Sequence, residues 1–174
     1  LPASAQTTAV TGGTLLPIDG PAIENGVMII DGDKIIAVGA KGAVKIPAGA
    51  TIVDATGKIV MPGLVDTHSH IGGIGAADSS GPLQPGVRVY DSINVRSSGF
   101  RRALAGGLTT LNIMPGSGHL SSGQTVYVKL RYGDETPRTI DAITYRFPDS
   151  SPMGGLKMAN GTNSIRKEGK GGFP

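Results

Sequence analysis

Two histidines separated by one residue are the first side chains whose type and spacing suggest chemistry. His68 and His70 directly follow the short apolar run of residues 64–67. Side chains alternate along a strand with a period of two, so positions i and i+2 share one side. Neutral imidazole binds zinc and other borderline divalent metals well, although isolated His-x-His pairs are often ordinary surface residues. The pair predicts a site for one divalent ion, such as zinc.

Three further side chains are candidates around this pair. Asp66 precedes His68 by two residues, and by alternation it should face the same side. It could orient a ligand, or it could accept hydrogen bonds from neighbouring backbone. His119 lies in a Gly/Ser-rich loop and could touch substrate or relay a proton, but a solvent-exposed histidine is the favoured interpretation. Lys157 is interpreted as a surface residue or as a contact to a substrate anion.

Other parts of the composition exclude functions rather than suggest them. The chain has no cysteine, which excludes disulfides and thiolate metal sites. The net charge is +3, and the one dense basic run, residues 166–170, is typical of a solvated tail rather than a nucleic-acid surface. No apolar stretch reaches the roughly 20 residues of a membrane helix. The glycines of residues 72–75 lack the helix start and the Gly-Lys-Ser/Thr of a phosphate loop, so a mobile loop is expected there.

The first five residues bear on the cellular compartment. They end in the small-x-small pattern that precedes a signal-peptidase cut, so they could be the remnant of a leader. A disordered start made of small residues explains the pattern equally well. A periplasmic or secreted protein is the first expectation, and a cytoplasmic one is the alternative.

The elements that must position the histidines fall into two regions. Residues 1–61 read as short strands at residues 14–16, 51–54 and 59–61, with a hairpin around Gly32-Asp33 because glycine supplies the positive φ of a primed turn. This region predicts a small β-sandwich domain. Residues 62–174 predict a parallel strand that is buried, a helix over residues 97–105 and a strand over residues 108–113, which together make a βαβ unit. Further strands are expected at residues 124–130 and 140–145.

The residues around the histidines resemble a known family. The segment from Lys58 to His70 is similar to the signature that opens the barrel in the amidohydrolase superfamily. Other segments resemble the small β-sandwich domain, the second barrel strand and the imidazolonepropionase-like branch of the same superfamily; they are residues 31–39, 53–57, 105–110, 115–118 and 154–161. The resemblance implies an α/β fold, in which a composite β-sandwich domain (1–61) precedes the N-terminal part of a TIM (β/α)₈ barrel (62–174).

The same resemblance implies metal-assisted hydrolysis of an amide, a cyclic amide or another C–N bond of a small-molecule substrate. Family members complete the strand-one histidine pair with two later histidines and an aspartate, whereas only His68 and His70 carry over here. The residues after the β domain are also fewer than the roughly 250 of a complete barrel. We therefore expect a complementary C-terminal hydrolase chain and an oligomer, without nucleic-acid or membrane partners. The alternative is a non-catalytic truncated fragment that serves as a structural or binding module.

Overall fold

The computed structural model describes residues 7–72, 81–133, 136–162 and 164–165. The chain divides into two compact units, Leu1–Pro62 and Gly63–Pro174. The domain identities assigned to residues 1–61 and 62–174 remain predictions. Three expectations concern residues outside the described ranges: the leader remnant at residues 1–5, the glycine-rich segment from residue 73 onward and the basic run at residues 166–170.

The described part of the first unit consists of strands joined by short turns. In chain order these strands are β1 (Thr8–Thr11), β2 (Thr14–Leu15), β3 (Gly26–Asp31), β4 (Lys34–Ala40), β5 (Thr51–Asp54) and β6 (Ile59–Val60). The predicted hairpin is confirmed, since β3 and β4 run antiparallel with Asp31 opposite Lys34 and Gly32 at φ 59°. The predicted strand at residues 51–54 is also confirmed as β5, whereas β1 was not predicted.

A four-stranded sheet with the order β4-β3-β1-β5 forms most of this unit, and β2 pairs with β6 in a separate two-stranded sheet. Ala9, Val27 and Ile29 are buried and form a small core on one face of the large sheet. On β4, by contrast, Ile35 and Ile36 are exposed. The unit therefore buries only a few large apolar side chains.

The second unit contains both strands and helices. In chain order these are β7 (Leu64–Ser69), a 3₁₀ turn (Val89–Asp91), α1 (Ser98–Ala105), β8 (Leu108–Ile113), β9 (Ser121–Gln124), β10 (Val126–Lys129), a second 3₁₀ turn (Ile140–Ala142) and β11 (Leu156–Met158). The predicted helix is confirmed: the Ser97 hydroxyl oxygen accepts a hydrogen bond from the N–H of Gly99 at 3.4 Å, and Gly106 follows the last helical residue. The predicted strand β8 is confirmed with the expected bounds.

The β7-α1-β8 segment forms the predicted βαβ unit, because β7 and β8 pair in parallel. Gly63 leads into β7, and a Cβ at this position would lie 2.1 Å from the Thr109 side chain, so only glycine allows the two strands to approach. On β8, Leu111 and Ile113 belong to a hydrophobic core. The same core contains Phe100 of α1 and Val126 of β10, and all four side chains are fully buried. The helix and β10 thereby hold β8 in place.

Other predictions for this unit were wrong or incomplete. The sheet order is β10-β8-β7, but β10 runs antiparallel to β8, whereas the strands of a (β/α)₈ barrel are all parallel. Residues 140–145 do not form the expected strand, since they begin with a 3₁₀ turn and make only an isolated bridge at Thr144. Strand β11, which pairs with β9, was not predicted. The described residues form a mixed α/β fold, mostly of strands.

The expectation that β7 is a buried strand was also wrong for this chain. Leu64 is 50 % exposed and Val65 is 57 % exposed, because β7 is the last strand of its sheet. Its second edge and part of its apolar surface therefore have no covering element among the described residues.

Within those same residues, no helix is long and apolar enough to span a membrane.

Candidate metal centre

His68 and His70 lie at the carboxyl end of β7, where the strand pairing is irregular. Asp66 pairs with Leu111 and Ser69 pairs with Ile113, so three steps along β7 match two steps along β8. This register shift spans Thr67 and His68 and is a β-bulge or a similar irregularity of pairing, which we call the bulge. Bulges are common beside active sites because they redirect side chains at the end of a strand. His68 and His70 flank the buried Ser69.

The two imidazole rings converge on each other. Their Nε2 atoms lie 3.2 Å apart, and the rings meet edge to face with an interplanar angle of 78°. Two nitrogens bound tetrahedrally to one zinc ion at about 2.0–2.1 Å would be separated by about 3.3 Å. The observed spacing therefore fits two ligands of one divalent ion. The structure also places the two rings on the same side of the chain, as predicted.

A main-chain carbonyl orients one of these rings. The Nδ1 atom of His70 lies 2.9 Å from the carbonyl oxygen of Met114, which follows β8. A carbonyl oxygen can only accept a hydrogen bond, so Nδ1 carries the proton and donates it. In neutral His70 the Nε2 lone pair is then free to bind a metal. Metal-binding histidines usually make this kind of hydrogen bond with their second nitrogen.

Lys157, which the sequence analysis interpreted as a surface residue or a contact to a substrate anion, lies beside the histidine pair. It is on β11, and its Nζ atom is 3.4 Å from Nε2 of His68. If His68 Nε2 carries a proton, it donates that proton to Nε2 of His70. If His68 Nε2 instead accepts a hydrogen bond from Lys157, the Nε2 atoms of both histidines are free of protons and could bind one cation. The approach of Lys157 to His68 depends on the pairing of β11 with β9, which was not predictable from residues 154–161.

Asp66 has the second of its two predicted roles. Its Oδ1 atom accepts a hydrogen bond from the main-chain N–H of His68 at 3.0 Å. The irregular pairing between Asp66 and Ser69 falls in the same stretch. The carboxylate therefore acts on the backbone of the bulge, at the main chain of His68.

His119 is not the solvent-exposed histidine that was favoured; it is 0 % exposed. Neither ring nitrogen has a hydrogen-bond partner in the described part of the chain. Among those same residues, no group of three or more His, Cys, Asp or Glu side chains is close enough to hold a metal ion. His119 therefore does not complete a three-ligand site with His68 and His70.

One buried titratable group lies in the core that holds β8. Tyr132 stacks on Phe100 with ring centroids 5.5 Å apart, and its hydroxyl donates to the Val95 carbonyl oxygen at 2.8 Å. Burial raises the pKa of Tyr132 to about 12, and the nearby Arg101 guanidinium partly opposes this shift. The group is part of the scaffold rather than of the histidine pair.

Fold and site together define a mixed α/β protein with two converging imidazoles at the end of a parallel strand. The curated proteins similar to it include the following two. A dihydroorotase from Pelotomaculum thermopropionicum is 34% identical over 118 residues, which are 67% of this chain and 23% of that protein. An imidazolonepropionase from Streptomyces griseus is 39% identical over 74 residues, which are 37% of this chain and 18% of that protein. No family model matches the chain.

Among solved structures, an amidohydrolase from Thermotoga maritima superposes with a TM-score of 0.75 and 32% identity, over 90% of this chain and 39% of that one. The chain belongs to the amidohydrolase superfamily, as its sequence predicted. Members of this superfamily are generally metal-dependent. The chain spans less than a quarter of the length of the curated relatives that it matches.

Proposed function

We propose that this chain is part of a metal-dependent hydrolase that cleaves amide, cyclic amide or other C–N bonds of small molecules. The observation that carries the proposal is the 3.2 Å approach of the two Nε2 atoms, with His70 held in the metal-binding tautomer by the Met114 carbonyl. The names of the similar proteins, a dihydroorotase and an imidazolonepropionase among them, support this substrate class.

In this proposal His68 and His70 hold the ion, which we propose to be zinc, as one or two ions. A bound divalent metal supplies a water of lowered pKa and polarises the carbonyl under attack. The residues of this chain would hold the ion and orient its two histidine ligands. The Met114 carbonyl keeps the His70 proton on Nδ1, and the Asp66 carboxylate secures the bulge at His68. The Lys157 ammonium lies beside His68 as a hydrogen-bond donor rather than a metal ligand.

For the fold, we propose that β7-α1-β8 is the opening βαβ unit of a (β/α)₈ barrel and that the first unit is a part of a composite β-sandwich. The superposition on the Thermotoga maritima amidohydrolase supports this assignment. Because β10 runs antiparallel to β8, it does not occupy the position of a third parallel barrel strand in this arrangement.

We further propose that a complementary C-terminal hydrolase chain completes both the barrel and the ligand set. Two observations support this partner. The free edge of β7 carries half-exposed Leu64 and Val65, an arrangement that normally pairs with another strand or aggregates. The described residues also provide only two imidazoles at the site, whereas zinc in hydrolases is usually held by three protein ligands and a water.

The metal assignment is tested with His68→Ala combined with His70→Ala. The native preparation, including any polypeptide that copurifies, is analysed for bound metal by mass spectrometry and titrated with zinc. We expect the double variant to lose tight zinc binding, because both proposed ligands from this chain are absent. His119→Gln is the matched control, since it removes the one other histidine and should retain zinc. Full metal occupancy in the double variant would overturn the proposal.

The alternative, a non-catalytic module, is favoured by the incomplete ligand set among the described residues. Native mass spectrometry separates the two functions. A second chain in the purified complex, together with stoichiometric metal, supports the hydrolase. A cooperatively folding monomer of this chain that binds zinc only weakly supports the module and contradicts the proposed partner.

A further inference from the structure

The segment between β10 and the second 3₁₀ turn forms a cavity of about 340 Å³ in the second unit. Cavities of about 300 Å³ and more are large enough to hold a small molecule. The lining combines two positive charges with two hydroxyls, and it has no carboxylate among the described residues. The lining residues are Arg131, Thr136, Pro137, Arg138, Thr139 and Ala142.

Arg101 of α1 fixes the segment that forms this cavity. Its Nη1 atom donates to the Gly133 carbonyl oxygen at 3.3 Å, and its Nη2 atom donates to Thr136 Oγ1 at 2.8 Å. The guanidinium also lies over the ring of the buried Tyr132, 5.9 Å from its centroid. Because these contacts hold Gly133 and Thr136 against the helix, the cavity is formed before any ligand binds, which lowers the cost of binding.

The two arginines that line the cavity carry uncompensated charges in the described part of the chain. Both ion pairs found in that part involve other arginines. Arg131 and Arg138 are also exposed, so their guanidinium groups are free to bind an anion from solution. Thr136 Oγ1 accepts its hydrogen bond from Arg101, which leaves the Thr136 hydroxyl proton for a ligand.

The donors of this cavity match a phosphate group. A guanidinium forms paired hydrogen bonds to the oxygens of a phosphate or a carboxylate. A carboxylate offers one charge and two oxygens, whereas a phosphate ester offers up to two charges and three terminal oxygens, enough for two arginines and a hydroxyl. Pro137 and Ala142 add apolar surface for an organic part. We propose that this cavity binds the phosphate group of a small molecule through Arg131 and Arg138.

The cavity lies away from the proposed metal centre. Because β10 runs antiparallel to β8, Lys129 at the end of β10 pairs with Thr110, near the start of β8. The histidine pair lies at the carboxyl end of β7, which is parallel to β8. Strand β8 is six residues long, and at about 3.3 Å per residue its ends are about 16 Å apart. The phosphate site is therefore separate from the proposed hydrolytic site and does not depend on it.

Inorganic phosphate is the probe, and the arginine side chains report its binding. The native preparation, with ¹⁵N-arginine in this chain, is titrated at constant ionic strength while the guanidinium signals are followed by NMR. We expect saturable shifts of the Arg131 and Arg138 signals, with a Kd on the order of 1 mM. Acetate should bind at least about tenfold more weakly, because it has fewer charges and oxygens. A response to phosphate that never saturates, or equal affinity for acetate, would overturn the site.

Three exposed arginines give matched variants. Arg131→Ala and Arg138→Ala should each weaken phosphate binding about tenfold, because each removes one guanidinium from the cavity. Arg102→Ala removes the same charge from α1, outside the cavity lining, and should change the affinity less than about twofold. All three variants should keep the Tm of the original protein, since these side chains are exposed. An equal loss of affinity in Arg102→Ala would mean that phosphate responds only to net charge, and it would contradict the proposal.

The organic part of the ligand is tested with glycerol 3-phosphate. This ester should bind more tightly than inorganic phosphate, because Pro137 and Ala142 offer apolar surface beside the arginines. Tighter binding of the ester would support a small organic ligand. If inorganic phosphate binds as tightly as the ester or more tightly, the cavity is a site for free phosphate and the proposed small-molecule ligand is wrong.

Two competing explanations are separated by further variants. Asp134 and Glu135 are close to the cavity lining in sequence and lie outside the described residues. Asp134→Asn with Glu135→Gln should leave the phosphate affinity within about threefold, and a gain of about tenfold or more would show that these carboxylates occupy the arginines. A metal held by His68 and His70 is the other place where phosphate would bind. The double alanine variant of that pair should keep the arginine shifts, and their loss would overturn the separate site.

Discussion

Strands β7 and β8 are parallel neighbours in one sheet, yet they differ in how far their side chains are buried. On β8, Leu111 and Ile113 are 0 % exposed and pack with the helix and β10. On β7, Leu64 and Val65 are at least half exposed, and the strand ends in a bulge with the two candidate ligands. The buried strand β8 contributes to the core of the second unit, and the exposed strand β7 leads to the two candidate metal ligands.

This difference implies that stability and metal binding can be changed separately. The histidine pair receives its geometry from local hydrogen bonds, one from the Asp66 carboxylate to the His68 main chain and one from the Met114 carbonyl to the His70 ring. It receives little from packing, since the apolar residues of β7 are uncovered. Substitutions in β8 should therefore lower stability, whereas substitutions around the bulge should lower metal affinity.

The largest expected effect is on stability, at the centre of β8. Leu111→Ala should lower the free energy of unfolding of the second unit by about 2–5 kcal/mol, because it leaves a cavity in a fully enclosed core. Val65→Ala on β7 is the matched change and should cost less than about 0.5 kcal/mol in this chain, since that side chain is 57 % exposed. Urea denaturation measures both.

The complex with a complementary chain sharpens this comparison. There, Val65→Ala should become clearly destabilising, because the proposed partner covers β7. Equal costs for Leu111→Ala and Val65→Ala in the isolated chain would show that the two strands do not differ in burial as described.

Much of the fold could be predicted because its local signals are strong. The Gly32-Asp33 hairpin and the helix that begins after Ser97 depend on residues close in sequence, and both were predicted correctly. Strand β11 and the antiparallel direction of β10 depend on pairings between distant segments. No composition or periodicity in those short segments indicates which strand they will join.

The candidate site shows the same division. A period of two predicted that His68 and His70 share a side, and their nitrogens do converge. For Asp66 the sequence left two roles open, and its hydrogen bond to the His68 main chain supports the backbone one. The burial of His119 and the approach of Lys157 to His68 are tertiary properties, and the polar, glycine-rich sequence around His119 indicated an exposed loop instead.

The next effect in size concerns Asp66, which stabilises the bulge on the exposed strand. Asp66→Ala should lower zinc affinity about tenfold, because the His68 N–H loses its acceptor and the ring loses its fixed position. Asp66→Asn retains an acceptor oxygen and should stay within about threefold of the original affinity. Isothermal titration with zinc measures both variants. If Asn weakens binding as much as Ala, the charge of Asp66 matters rather than its hydrogen bond.

The smallest expected effect concerns Tyr132, in the buried core beside β8, and it depends on pH. The hydroxyl of Tyr132 donates to the Val95 carbonyl oxygen, so Tyr132→Phe should lower the free energy of unfolding by about 1 kcal/mol at pH 8. Burial raises the pKa of Tyr132 in the folded protein to about 12, whereas a tyrosine in water has an ordinary pKa of 10.0. A folded-state pKa above the unfolded one gives stability that is complete below pH 10 and is lost as the pH rises towards 12.

The stability difference between the two proteins should therefore close near about pH 11 and reverse by pH 12, because one pKa unit corresponds to about 1.4 kcal/mol, more than the hydrogen bond contributes. Between pH 10 and 12 the wild type loses the advantage of its neutral, hydrogen-bonded hydroxyl, whereas the phenylalanine variant has no such group to ionise. Urea denaturation at pH 8, 10, 11 and 12 measures this difference. A gap that stays constant across the series would mean that Tyr132 ionises equally in the folded and unfolded chain, and that the core beside β8 is less closed to water than its burial indicates.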